Sequence, residues 1–303
     1  MDDNARALIV AIRAHALTAD NGLLDYVRHY LAFVERCQRP DGRFRNFMAA
    51  DGSWLEEVGS DDSQGRAIWA LGFAAGRSAQ TEVRLRALRC LDGALPRLRG
   101  LEFLRSRAFV LLGVQAWAQV EPAAELDELA GDFGADLAAA YERCAGPGWR
   151  WFEDVATYCN TRLSQALLGT GWSNVGLESL AWLCTEMDAG THMNVVGNHG
   201  WYPRGGRPAL FDQQPVDAGA TVAACVAAYQ LSGEERFRRW AELSCAWFQG
   251  RNITGRPMID HESGGCYDGL EETGVNSNQG AESLLAWLMA QEDLLEMGWT
   301  EAD

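Results

Sequence analysis

Four carboxylates stand where acid–base chemistry could draw on them: Asp62, Glu153, Asp154 and Asp217. Cleavage of a glycosidic bond commonly takes two such groups, one to protonate the leaving oxygen and one to activate water or attack from the opposite face. Asp61 and Asp62 open a helical stretch, so capping is their plain alternative role. Glu153 and Asp154 follow Trp151-Phe152 directly, where a solvated turn is the bland reading. Asp217 enters an Ala-rich helix, where a carboxylate is costly to bury without a partner, and it has the weakest bland explanation. Asp268, Glu271 and Glu272 lie in a Gly-rich loop, and Glu282 follows one turn into the next helix. Nothing in their order pairs them.

Aromatic and amide side chains accompany the acids. Trp151, Tyr158, Trp201 and Tyr267 lie in or beside the same loops, with Asn160, Arg162, Gln213 and Asn276 nearby. Aromatic faces pack on the C–H face of a pyranose while amides, Arg and acids such as Asp61 and Asp268 bond its hydroxyls, so these ten residues are the expected substrate contacts. Stitching of loops onto the fold is the competing role for the aromatics. His192, His199 and His261 fall in or near loops, whereas His15 and His29 look helical. Two histidines across a cavity would move protons at sugar carbons, which defines a rival chemistry. The eight cysteines contain no C-x-x-C pair, and Cys and His show no zinc spacing; neither metal nor cofactor is expected. No nucleophile elbow, Walker loop or dinucleotide fingerprint is present.

The elements that must position these groups repeat. A Gly-plus-aromatic turn, an acid-bearing loop and a small-residue helix recur four times, beginning at Gly42, Gly148, Gly200 and Gly265. Ser63-Gln64 and Ser164-Gln165 are 101 residues apart, which gives a unit of about 50 residues if two units intervene. Periodicity predicts helices near 3–18, 22–38, 61–77, 80–96, 102–119, 123–144, 160–170, 173–189, 216–231, 233–249 and 276–296. Asp61 or Asp62 is the expected cap of the third, and Asn276 of the last. Helices rich in Ala, Gly and Ser (65–76, 108–118, 218–228, 280–290) suit an inner layer; those richer in Arg, Glu and Leu (82–92, 123–143, 234–243) suit an outer one. Six helical hairpins could then close as a ring. The loops at 42–60, 146–157, 197–213 and 255–275 are long for bundle connections and predict short hairpin-like extensions on one face.

No linker or low-complexity run divides the 303 residues, so a single domain over 1–303 is expected. The formal charge of −16 argues against nucleic acid or an anionic membrane as partner. Arg13 and His15 interrupt the apolar stretch Ala7–Ala19, and the cysteines read as reduced and buried. A cytoplasmic protein without a membrane span is the expectation; oligomeric state is left open.

Three stretches carry a family resemblance: Trp151 through Asn160, Arg162, Ser164 and Gln165; Phe211-Asp212-Gln213-Gln214-Pro215-Val216-Asp217; and Gly264 through Asp268, Asn276, Asn278, Gln279 and Glu282. With Asp61-Asp62-Ser63-Gln64 they resemble the six-hairpin glycosidase-like (α/α)6 toroids, and more narrowly a bacterial glycosidase-related branch often found beside glycosyltransferases. The resemblance implies an all-α (α/α)6 toroid with sugars entering the wide end of its cavity. Acids near the inner-helix N-termini would act there: Asp61, Asp62, Glu153, Asp154, Asp217 and Asp268. The leading expectation is an inverting glycoside hydrolase acting on a short oligosaccharide or glycoconjugate. A sugar epimerase or isomerase using His199 or His261 is the alternative, and a non-catalytic carbohydrate-binding module serving a glycosyltransferase is a third. The helix at 102–119 lacks a preceding acid loop, so the ring is not uniformly armed.

Overall fold

The computed structural model describes residues 1–299, which form two compact units, Met1–Ala135 and the part from Asp136 onward. In the first unit the chain runs α1 (Asp2–Thr18), α2 (Leu23–Cys37), α3 (Asp61–Arg77), α4 (Thr81–Leu98), α5 (Leu104–Ala118) and most of α6 (Ala124–Cys144). Helices α1, α3 and α5 pack side by side, with α2 laid on α1 and α4 on α3. Small residues dictate this order. A Cβ placed on Gly72 of α3 would come within 2.1 Å of the Gly113 carbonyl oxygen of α5, and one on Gly76 within 2.2 Å of that of Ala116. Backbone therefore meets backbone along the seam. Every residue of α3 from Ser63 to Gly72 is buried, whereas α2 buries only the stripe Val27, Leu31, Val34 and Cys37. Each large aliphatic residue so buried contributes about 1.5–3 kcal/mol.

The second unit repeats the scheme with α7 (Thr161–Leu168), α8 (Ser173–Met187), α9 (Pro215–Ser232), α10 (Glu235–Ala246), a 3₁₀ turn (Trp247–Gln249) and α11 (Ala281–Glu296). Here α7, α9 and α11 pack in sequence, α8 lies on α7, and α10 lies on α9. Gly219 of α9 abuts the Ala286 carbonyl of α11, 2.7 Å from where its Cβ would stand. Gly233, at φ 69°, ends α9 in the left-handed conformation that a side chain resists. Within each unit the odd-numbered helices thus form one layer, with α2, α4, α8 and α10 laid on it, as the alternation of small and charged sequences predicts. The described residues hold eleven α-helices.

Strand structure is confined to loops. β1 (Val155–Ala156) pairs antiparallel with β2 (Tyr202–Pro203), and β3 (Gly269–Glu271) forms a hairpin with β4 (Gly274–Asn276). The loops at 146–157 and 197–213 therefore join each other through a two-residue ladder, while 255–275 leads into its own hairpin. Two expected caps are corrected. Ser60, not Asp61 or Asp62, caps α3, its Oγ accepting the Ser63 amide at 3.3 Å. Asn276 ends β4 instead of opening a helix, and α11 begins five residues later than expected, after Gly280.

Candidate functional site

In the first unit, adjacent acids at the start of α3 face different partners. Asp62 Oδ2 accepts from Arg66 Nε at 3.1 Å and from its terminal nitrogen at 2.9 Å. Arg66, only 4% exposed, also lies 3.9 Å from Asp2 and stacks over Phe109 at 4.6 Å. Burial pushes the Asp2 carboxyl up, against the pull of Arg66 and Arg6. Asp61 instead takes the Glu102 amide at 2.8 Å. Gln64, three residues after Asp61, is a clamp: its Oε1 accepts the Phe44 amide at 2.6 Å and its Nε2 donates to the Phe44 carbonyl at 2.8 Å.

The second unit holds the other candidates around three helix entries. At α7, Trp151 is fully buried against Phe152 and Trp182, so its ring belongs to the core. Asn160 is buried and donates to the Thr157 carbonyl, and buried Arg162 donates to Gln165 Oε1 at 2.6 Å. Asp154 is exposed and pairs with Arg204 at 3.3 Å, beside the β1–β2 ladder. The Glu153 carbonyl accepts the Trp149 indole N–H. Tyr158 and Trp201 present aromatic surface to solvent at 39% and 43% exposure.

At α9, Pro215 occupies the first turn and Asp217 is 5% exposed. The preceding loop folds tightly over this end. Asn198 donates its amide to the Asp212 carbonyl and His199 to that of Phe211, and a Cβ on Gly197 would collide with the Phe211 oxygen at 1.9 Å. Asp212 and Trp201 sit at φ 56° and 54°, left-handed values that non-glycine residues adopt at a cost. Gln213 exchanges both backbone hydrogen bonds with Leu270 of β3. Its side chain is wholly buried, donating to the Leu210 carbonyl at 2.8 Å and accepting Trp247 Nε1 at 2.7 Å. These bonds bring His199 Nδ1 to 3.9 Å from Glu271 Oε2.

At α11, Asp268 does the capping. Its carboxylate accepts the Gly280 amide at 2.7 Å, Ser283 Oγ at 2.5 Å and Asn278 Nδ2 at 2.5 Å. Burial raises its pKa, but the bonds from Ser283, Gly280 and Asn278 outweigh that and lower it. Asn276 accepts the Asn278 amide, and Tyr267 is half-buried with its amide on the Met258 carbonyl. His261 is exposed in a turn next to Asp260.

The candidates thus fall into two groups: Asp61 and Asp62 in the first unit, the rest in the second. Within the second, backbone hydrogen bonds from Asn198 to Asp212, His199 to Phe211 and between Gln213 and Leu270 tie together the loop that leads into α9, on which Asp217 lies. The His199–Glu271 neighbours went unread because they are 72 positions apart with no local signature. Buried Arg6, Arg13 and Arg105 on α1 and α5 also went unread; arginines inside small-residue stretches were the available signal. Among the described residues no cluster of His, Cys, Asp and Glu could hold a metal ion, and no helix is long and apolar enough to cross a membrane.

The sequence matches no family model and no curated protein. Solved structures share the fold. A sugar epimerase from a ruminal bacterium superposes with a TM-score of 0.73 at 13% identity, covering 98% of this chain and 87% of its own. The cellobiose 2-epimerase of Spirochaeta thermophila gives 0.67 at 12% identity over 98% and 86%. The GH76A α-1,6-mannanase of a Salegentibacter species gives 0.63 at 13% identity over 97% and 89%. The chain has the all-α (α/α)6 toroid fold that these structures share.

Proposed function

We propose that this protein is a carbohydrate-processing enzyme whose acting groups gather at the N-terminal end of α9. The observation that carries the reading is Asp217, a carboxylate 5% exposed in the first turn of a helix built otherwise of small apolar residues. Over it lies a loop whose Asp212 is held at φ 56°. Desolvating a carboxylate costs several kcal/mol and such backbone strain about 1–3 kcal/mol; folds retain these costs at functional sites. The epimerases and mannanase that share the fold support a carbohydrate as the ligand.

The leading reaction is hydrolysis with inversion on a short oligosaccharide or glycoconjugate. Asp217 and Glu153 would divide the roles of general acid and general base, about 6.5–9.5 Å apart with a water between. Asp62 and Asp154, which pair with Arg66 and Arg204, are the other candidates for these roles. Tyr158 and Trp201 would supply the exposed aromatic faces, and Tyr267 and Asn276 hydroxyl contacts. A second reading, sugar epimerisation or isomerisation, is favoured by the His199–Glu271 pair, an imidazole with a carboxylate at 3.9 Å.

Incubation with manno- and gluco-oligosaccharides in heavy water separates the two. Hydrolysis releases new reducing ends and is lowered at least about a hundredfold by Asp217→Asn. Epimerisation incorporates deuterium without cleavage and depends on His199. Saturable binding with no turnover of any sugar would leave the non-catalytic reading, and wild-type turnover by Asp217→Asn would overturn the assignment.

A further inference from the structure

We infer that a separate cavity of ≈ 370 Å³ in the first unit binds a small polyol bearing one anionic group, such as a hexose phosphate or a hexuronate. Its floor is Ile68, Leu98 and Leu101; its rim carries Arg43, Arg97 and Asp61. The cavity opens between α3 and the outer helix α4, and it contains Asp61 but not Asp62. One turn of helix thus sends one acid to the Arg66–Asp2 cluster and its neighbour to this cavity.

The chemistry of the rim selects the ligand. Arg43 is matched by Asp41 at 2.7 Å. Arg97 is steadied by a bond from Nε to the Asp41 carbonyl at 3.1 Å, which leaves its terminal nitrogens as the fork that grips carboxylate or phosphate. Asp61 would repel a bare anion, but it accepts a hydroxyl that the same ligand brings. The apolar floor suits the C–H face of a ring. The volume fits a small ligand pocket. Long-range charge agrees: the first unit has 16 arginines against 19 acids, the remainder ten against 23, so anions are repelled least here. The walls are preformed. Gly42, at φ 89°, lets the loop seat directly on α4, where a Cβ would lie 2.0 Å from the Gly93 oxygen, and Gln64 clamps Phe44.

Calorimetric titration of the full chain with glucose 6-phosphate, glucuronate, glucose and inorganic phosphate tests this. One or both anionic sugars should bind at a single site, with glucose and phosphate at least about tenfold weaker. Binding of only one of them identifies the anionic group preferred. Arg97→Gln should weaken the anionic sugars by about ten- to a hundredfold, and Arg97→Lys should recover part of that loss. Asp61→Asn should narrow the gap between sugar anion and phosphate. Asp217→Asn should leave this binding unchanged, which separates the site from the proposed catalytic one. No binding of either anionic sugar, equal binding of phosphate, or affinity indifferent to Arg97→Gln in a folded variant would each overturn the inference.

Discussion

Gly72→Ala is the sharpest test of how the inner helices pack. In an exposed helix the change would stabilise by about 0.8–1 kcal/mol, because glycine is the poorer helix former. Here the added Cβ would stand 2.1 Å from the Gly113 oxygen, 2.5 Å from its carbonyl carbon and 2.7 Å from its Cα. None of these is a side-chain end that could swing away, so α3 and α5 must separate. Overpacking costs about 1–3 kcal/mol, and a backbone obstacle puts this site at the upper end. The net expectation is a loss of about 2 kcal/mol. Gly131→Ala in α6 is the control, because its Cβ meets nothing within 4 Å and only the propensity gain remains. Urea unfolding followed by circular dichroism should place the two variants on opposite sides of wild type. Gly72→Ala at or above wild-type stability would refute the close approach of these helices.

Two further outcomes follow from named contacts. The Asp188 carboxyl is lowered to about 2 by Arg239, helped by the Trp240 indole and the Gly190 amide, against the opposing effect of burial. Its folded pKa is depressed, so its contribution is complete above the ordinary carboxylate range and is lost as pH falls from about 4 toward 2; on the order of 2 kcal/mol rests on it. Asp188→Asn should lower stability at pH 7 and flatten the acid limb between those values, and an unchanged acid limb would contradict the pairing. Gln64→Leu removes both bonds to Phe44; the Phe44 carbonyl keeps the Gly59 amide at 2.9 Å, so one buried amide is stranded at about 1–3 kcal/mol. Faster proteolytic cutting within 44–59 and faster exchange of the Phe44 amide are expected; protection equal to wild type would show that the clamp is dispensable.

The helices were legible because the inner ones are written in small residues and the outer ones in one apolar stripe, and both patterns are local. What failed depends on partners far along the chain. Ser60, Asp61 and Asp62 are all good caps, and composition could not tell which carboxylate would leave for Arg66 and which for the Glu102 amide. Asn276 looked like a cap because the hairpin that consumes it is made of Gly-rich sequence with little strand propensity. Trp151 in an acid-bearing loop reads as a sugar platform, yet Phe152 and Trp182 draw it into the core.

The recurring glutamine gives the repeats a physical meaning. A long loop that returns to the start of an inner helix brings an amide and a carbonyl that both need partners under cover. One carboxamide offers a donor and an acceptor together, which an ionised carboxylate cannot. Gln64 uses both on the Phe44 backbone, Gln213 on the Leu210 carbonyl and the Trp247 indole, and exposed Gln279 on the side chains of Asp260 and Ser263. Much of the punctuation is therefore fastening, and Asp268 joins it as a cap. Burial and backbone strain single out two other acids. Asp217 is 5% exposed inside a small-residue helix and Asp212 is held at φ 56°, which is why the α9 entry, rather than the most acid-rich loop, is where catalysis should be sought.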